Sequence, residues 1–181
     1  MNLLETHLDG PLLIEPNVHG DQRGFFVESY RENALAELGV GDHFVQDNHS
    51  RSAGGVVRGM HFAVGEGQAK LVRCARGSIV DVLVDIRRNS QDFGKWEAYD
   101  LDDVSLRLLY VPIGFAHGFC VTSEVADVAY KLSSCYDPEV EGGFAYDDPE
   151  VGIDWPDVEL AVSERDATAP RLSEIAGELP F

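Results

Sequence analysis

Apolar and polar positions alternate along this chain in short blocks separated by Gly, Pro, Asn and Asp. From Phe44 onward the blocks are Phe44–Ser50, Val56–Phe62, Lys70–Ala75, Ser78–Ile86, Trp96–Tyr99, Leu106–Val111, Gly118–Val121 and Val125–Leu132. Their length and their β-branched and aromatic content predict strands, with a turn at Arg76-Gly77. Ser78–Ile86 has apolar groups on both faces, as a strand in the middle of a sandwich requires. Upstream, Pro11–Pro16 predicts a short edge strand closed by proline. Asp21–Gly24 reads as a turn before the apolar run Phe25–Val27. Ala34, Leu35 and Leu38 have helical spacing, so a helix is expected over Arg31–Leu38 and ended by Gly39. The tail from Asp147 to Phe181 is loop-rich, with a short helix expected near Ser173–Ala176, and is predicted to wrap the body. Together these elements predict an all-β sandwich or barrel with a few short peripheral helices, in one domain over residues 1–181.

Val56–Phe62 is the block around which the others are organised. Extended backbone would put Val57, Gly59 and His61 on one face and Val56, Arg58, Met60 and Phe62 on the other. A bend at Gly59 would bring Arg58 and His61 to one pocket, because glycine tolerates the dihedrals a bend needs. An imidazole there could take a carbon-bound proton near neutral pH without large pKa tuning. Taken alone, the same segment could equally be a packed core histidine beside a surface arginine.

Charge narrows the classes of partner. The 181 residues carry 32 acidic and 14 basic side chains, a net charge of -18, which argues against nucleic acid or an anionic membrane. A nucleotide remains compatible if basic residues gather in one pocket. Cys74, Cys120 and Cys135 form neither a disulfide framework nor a zinc motif, which fits a reducing cytoplasm. The N-terminus shows no signal peptide pattern, and no apolar run is long enough to span a bilayer.

Polar groups within the strand patterns point to a site. Gln46, Asn48, Arg58, His61, Lys70, His117, Tyr130 and Tyr136 all lie in or beside apolar segments, where a buried Lys or Arg needs a partner or a liganded cavity. A sandwich with one wet interior mouth would place all eight together. Pro112-x-Gly114-x-x-His117 resembles the second motif of the cupin superfamily, whose members are jelly rolls, many with a metal held by three histidines and a carboxylate. The first cupin motif needs His-x-His and a following Glu, whereas His61-Phe62-Ala63-Val64-Gly65-Glu66 offers one histidine. A facial metal site needs three converging ligands, so no metal is expected.

More specific matches run in order from about residue 10 to residue 172. They include Gly20–Tyr30, Phe44–Ser50, Arg58–Phe62, Gln68–Arg73, Asp81–Arg87, Gly114–Phe119, Tyr130-Lys131, Gly152–Pro156 and Leu160–Asp166. Through these the chain resembles the dTDP-4-dehydrorhamnose 3,5-epimerases, metal-independent cupins that act on dTDP-4-keto-6-deoxyhexoses. The resemblance implies a jelly-roll fold, a dTDP-4-keto-6-deoxyhexose substrate, no cofactor, and a homodimer whose subunits exchange strands over the site.

The chemistry of such a substrate can be argued independently. A C4 ketone acidifies C3 and C5, so epimerisation needs a base on one face, an acid on the other and a group that stabilises the enolate. The resemblance makes His61 the base, Asp166 its orienting carboxylate, Tyr130 the acid and Lys70 the enolate stabiliser. Arg23 and Arg58 suit phosphates through their guanidinium forks. Gln46 and Asn48 suit sugar or base, and Tyr136 can stack on thymine. Glu28, His117, Glu141 and Arg165 are further contacts by the same likeness. Arg165 stands where lysine is commoner, and Ala63 where a glutamine is. Competing readings are an epimerase acting only at C3 or C5, a metal-dependent cupin, and a non-catalytic sugar-nucleotide binder.

Overall fold

The computed structural model describes residues 1–181 and is built mainly of antiparallel strands. In chain order they are β1 (Asn2–Leu4), β2 (Leu12–Glu15), β3 (Val18–Asp21), β4 (Gly24–Val27), β5 (Gln46–Ala53), β6 (Val56–Ala63) and β7 (Lys70–Arg76). They continue as β8 (Ser78–Asp85), β9 (Trp96–Asp102), β10 (Leu108–Val111), β11 (Phe115–Val121), β12 (Val125–Leu132), β13 (Glu141–Gly143) and β14 (Ala161–Val162). The helices are α1 (Glu32–Ala36), α2 (Glu164–Ala167) and α3 (Leu172–Ile175), and a 3-10 turn follows at Ala176–Glu178. No helix is long and apolar enough to cross a membrane.

Two sheets form the sandwich of a cupin-like jelly roll. One has the strand order β1-β2-β10-β7-β12-β5, the other β13-β6-β11-β8-β9. Between them pack Val72, Leu109 and Val128 from the first sheet and Ile79, Leu83, Leu101 and Phe119 from the second. Each fully buried side chain of this size contributes roughly 1.5–3 kcal/mol. The opposite face of β8, with Val82 and Val84, is covered by Val151, Leu172 and Leu179 of the C-terminal tail. That second layer explains why β8 is apolar on both faces. The outer side of the first sheet is covered by Leu35 of α1 and by Val40, packed on Ile14, Leu71 and Leu108.

The Pro11–Pro16 segment is not an edge strand. β2 lies between β1 and β10, with Leu3 opposite Ile14 and Leu109 opposite Leu13. Both prolines fall just outside Leu12–Glu15, so no ladder donor is lost, and the edge belongs to the three-residue β1, too short to read from its pattern. β3 and β4 pair only with each other. On that hairpin Phe25 and Phe26 are 59% and 69% exposed, high values for phenylalanine in a strand.

Candidate active site

The site is built where β6 departs from regular geometry. His117 of β11 pairs with His61 of β6, yet Phe119 pairs with Arg58, so β6 has one extra residue at this point. Such a bulge reverses the alternation of faces and lets two side chains three residues apart point the same way. Gly59 makes it possible: its φ is +144°, and a Cβ there would come within 2.5 Å of Gly118 Cα. Arg58 and His61 consequently line one cavity, of about 560 Å³, between the two sheets.

The edge of β6 determines where Asp166 sits. β13 pairs with it at His61–Ala63, and β14 with it at Val56 and Val57. Between them the Gly59 N–H is left without a strand partner, and Asp166 Oδ2 accepts it at 3.4 Å. The other oxygen, Oδ1, lies 2.7 Å from His61 Nε2. Asp166 stands in the first turn of α2, where its own N–H donates to the capping Ser163 Oγ at 3.1 Å. Only 5% exposed, Asp166 keeps this bond away from competing water. A carboxylate on Nε2 favours the tautomer with its proton there, leaving the Nδ1 lone pair as the basic atom. Burial pulls the His61 pKa below its usual 6.5, while the Asp166 hydrogen bond and charge act in the other direction.

The first sheet forms the facing wall. Lys70 of β7 and Tyr130 of β12 line the cavity opposite His61 and His117, which belong to the second sheet. Burial pushes the Lys70 ammonium down to about 8, opposed by the charges of Glu141 and Asp81. His117 Nε2 lies 2.9 Å from the fully buried carboxylate of Asp81.

Toward the mouth, Tyr136, Glu141 and Arg165 meet. Arg165 Nη1 donates to Glu141 Oε2 at 3.1 Å, and the same carboxylate, beside the Tyr136 hydroxyl, raises the pKa of that phenol. Asn48 lines the cavity and accepts from Gln46 Nε2 at 2.9 Å. Gln46 itself stands outside the lining, and its Oε1 accepts the Tyr136 N–H at 2.8 Å, fixing the loop that holds the exposed ring. Arg58 Nε donates to Ser52 Oγ at 3.0 Å.

Besides Gln46, two of the singled-out residues lie off the cavity. Arg23 lies at the β3–β4 turn, bonded to Asp21, and Glu28 pairs with Arg31 at 3.1 Å; neither lines the cavity. Conversely, Ser50, Gln68 and Ser163 line it without having been picked from the sequence, and Asp81 supports it from behind. Ser163 and Asp166 form an S-x-x-D pattern that signals a helix start, so this one was open to reading. No group of three or more His, Cys, Asp or Glu side chains is arranged to hold a metal ion.

The jelly roll thus carries an imidazole–carboxylate pair on one wall of an interior cavity and a phenol and an ammonium on the other, groups able to take and give protons. The family model described as dTDP-4-dehydrorhamnose 3,5-epimerase matches residues 5–174. A relative of that name in Escherichia coli is 46% identical, covering 97% of this chain and 96% of its own. A dTDP-4-dehydrorhamnose 3-epimerase of Streptomyces niveus is 44% identical, covering 99% and 89%. The solved structure of Legionella pneumophila RmlC, a dTDP-6-deoxy-D-glucose-3,5-epimerase in complex with dTDP-4-keto-L-rhamnose, superposes with a TM-score of 0.96. It is 45% identical and covers 99% of this chain and 97% of that one. The chain belongs to the dTDP-4-dehydrorhamnose 3,5-epimerase family, whose members are carbohydrate epimerases.

Proposed function

We propose that the chain epimerises dTDP-4-keto-6-deoxyglucose at C3 and C5 to dTDP-4-keto-L-rhamnose, in dTDP-rhamnose biosynthesis, without a cofactor. The observation that carries this reading is the placement of His61 and Tyr130 on opposite walls of one cavity. His61 Nδ1 removes the proton from the carbon beside the ketone, and the C–H electron pair moves into an enolate. Lys70 stabilises the charge growing on O4. Tyr130 delivers a proton to the opposite face, inverting the carbon, and solvent then returns imidazolium and phenolate to their starting forms. Asp166 holds the His61 ring and stabilises its cationic form.

Nucleotide binding follows from the mouth. Arg58 takes phosphate, Tyr136 stacks on the thymine ring, Asn48, Gln46, Glu141 and Arg165 complete the contacts there, and His117 meets the substrate deeper in the cavity. Arg23 and Glu28 act from a second copy of the chain, whose β3–β4 hairpin closes the site in a homodimer. The exposed Phe25 and Phe26 support this, since an apolar ridge of that kind needs a covering surface. Three free cysteines, Cys135 exposed, support work in a reducing cytoplasm.

A second reading, epimerisation at one carbon only, is favoured by the likeness to the Streptomyces niveus 3-epimerase. NMR of dTDP-4-keto-6-deoxyglucose in deuterated buffer separates the two. Deuterium entering at C3 and C5 is expected. Label at one position selects the second reading, and label at neither overturns both.

A further inference from the structure

The mechanism uses one imidazole–carboxylate pair, yet the cavity holds two. His61 and His117 face each other across the β6–β11 ladder, and both line the cavity. Each has Nε2 tied to a buried carboxylate, His61 to Asp166 at 2.7 Å and His117 to Asp81 at 2.9 Å. Asp81 comes from β8, on the face that carries Ile79 and Leu83 into the main core. It is 0% exposed, and Oδ1, also 2.9 Å from Nε2 but off the line of the N–H, has no hydrogen-bond partner.

A fully buried carboxylate left half satisfied opposes folding, and an apolar residue of similar volume would pack here at less cost. What Asp81 does is therefore to be sought in its one bond. A carboxylate on Nε2 fixes the ring position and keeps the proton on that nitrogen, so His117 offers a lone pair at Nδ1. The hydrogen bond to Asp81 is the only one the His117 side chain makes within the protein. Its other nitrogen is the free polar atom of a ring that lines the cavity.

We propose that Asp81 is a positioning residue: it holds His117 in the Nε2–H tautomer so that Nδ1 accepts a hydrogen bond from a hydroxyl group of the bound hexose. This deepens the epimerase reading and rests on it for the identity of the ligand. The two pairs then divide the labour. His61 takes a carbon-bound proton, and His117 holds the sugar by a hydroxyl while the ring carbons change configuration. The negative charge of Asp81 also supports the Lys70 ammonium against burial.

The test is the Asp81→Leu variant, which replaces the carboxylate by an apolar side chain and removes the only acceptor at Nε2. Two-dimensional 15N–1H spectra of histidine-labelled protein read the tautomer directly. In the wild type His117 is expected as Nε2–H, and its Nδ1 signal should shift on adding dTDP-glucose but not dTDP alone. In the variant the Nε2–H form should lose its dominance, and kcat for deuterium incorporation should fall about tenfold or more. Measured well below pH 8, where Lys70 stays protonated with or without Asp81, the same substitution in a His117→Ala background should cause no further loss, because one side chain acts through the other. An unchanged tautomer in Asp81→Leu, or losses that multiply across the two sites, overturns the proposal. If the variant does not fold, the wild-type spectra decide: an Nδ1–H tautomer, or an Nδ1 signal indifferent to dTDP-glucose, also overturns it. A wild-type protein that exchanges no deuterium sinks the epimerase reading instead, while the tautomer comparison still reports on Asp81.

Discussion

The interior cavity and the β3–β4 hairpin differ in how their polar and apolar groups are satisfied. In the cavity, His61 and His117 each bond to a carboxylate from another element, 105 and 36 residues away in sequence. In the hairpin, Arg23 bonds to Asp21 two residues back, while Phe25 and Phe26 lie open to solvent. The cavity thus gathers both of its imidazole–carboxylate pairs within one chain. The hairpin is incomplete, because its apolar ridge and its arginine find no long-range partner. If function is divided the same way, changes in the cavity should strike chemistry and changes in the hairpin should strike assembly and binding.

The sharpest way to break that division is His61→Ala. Loss of a positioned general base should lower deuterium incorporation at C3 and C5 by about 10³-fold, with dTDP affinity nearly unchanged. Incorporation at the wild-type rate would end the assignment of the base. Lys70→Met should follow, at about 10²–10³-fold in kcat, as removal of one preorganised enolate-stabilising donor usually costs. The pH profile sharpens this. Burial favours neutral His61, so the base form persists below pH 6.5 and the acid limb of kcat/KM should lie under that value. Lys70 must remain charged, so activity should decline as pH rises through about 8, and this alkaline limb should vanish in Lys70→Met. A limb that persists in the variant assigns it to another group.

How far the sequence revealed these two regions follows from the range of the interactions. β5 to β12 were readable because alternation and turn residues are local signals. The helix expected over Arg31–Leu38 was readable for the same reason, and is observed over Glu32–Ala36 with its C-cap at Glu37. β13 and β14 were not, since strands of three and two residues exist only because β6 has an edge to offer. Gly59 was recognised as a bend, but its bulge depends on Gly118 coming close enough to exclude a Cβ. Asp166 was placed by family likeness; its bond to Gly59 N–H arises from a long-range meeting that no local pattern encodes. Asp81 was passed over as part of an apolar block, although a lone acid on the core-facing side of a central strand was a signal in itself.

The hairpin half of the comparison predicts smaller effects of a different kind. Phe25→Ser with Phe26→Ser removes the apolar ridge without touching the cavity. Because both rings are exposed in the single chain, unfolding free energy of the monomer should change by no more than about 0.5 kcal/mol per site. Sedimentation velocity should show a shift from dimer to monomer, and KM should rise about tenfold through loss of Arg23 and Glu28 from the partner, with kcat falling less. A variant that stays dimeric with wild-type KM would remove the hairpin from the site altogether.

Arg165→Lys is the mildest change and tests the boundary between the two regions. Arg165 lines the cavity, yet its side chain is 54% exposed and its one ion pair, to Glu141 at 3.1 Å, sits at the mouth. Exposed pairs of this sort contribute about 0–1 kcal/mol, so replacing a guanidinium by an ammonium should alter KM by no more than about fivefold. A lysine also keeps the positive charge near His61, which now lowers that pKa slightly, so the acid limb should stay in place. Arg165→Met should differ: without the cation, the limb should move toward higher pH while the rate at the plateau changes little. If Arg165→Lys instead lowers kcat a hundredfold, the guanidinium reaches the reacting sugar, and the mouth belongs to the chemistry of the cavity rather than to binding.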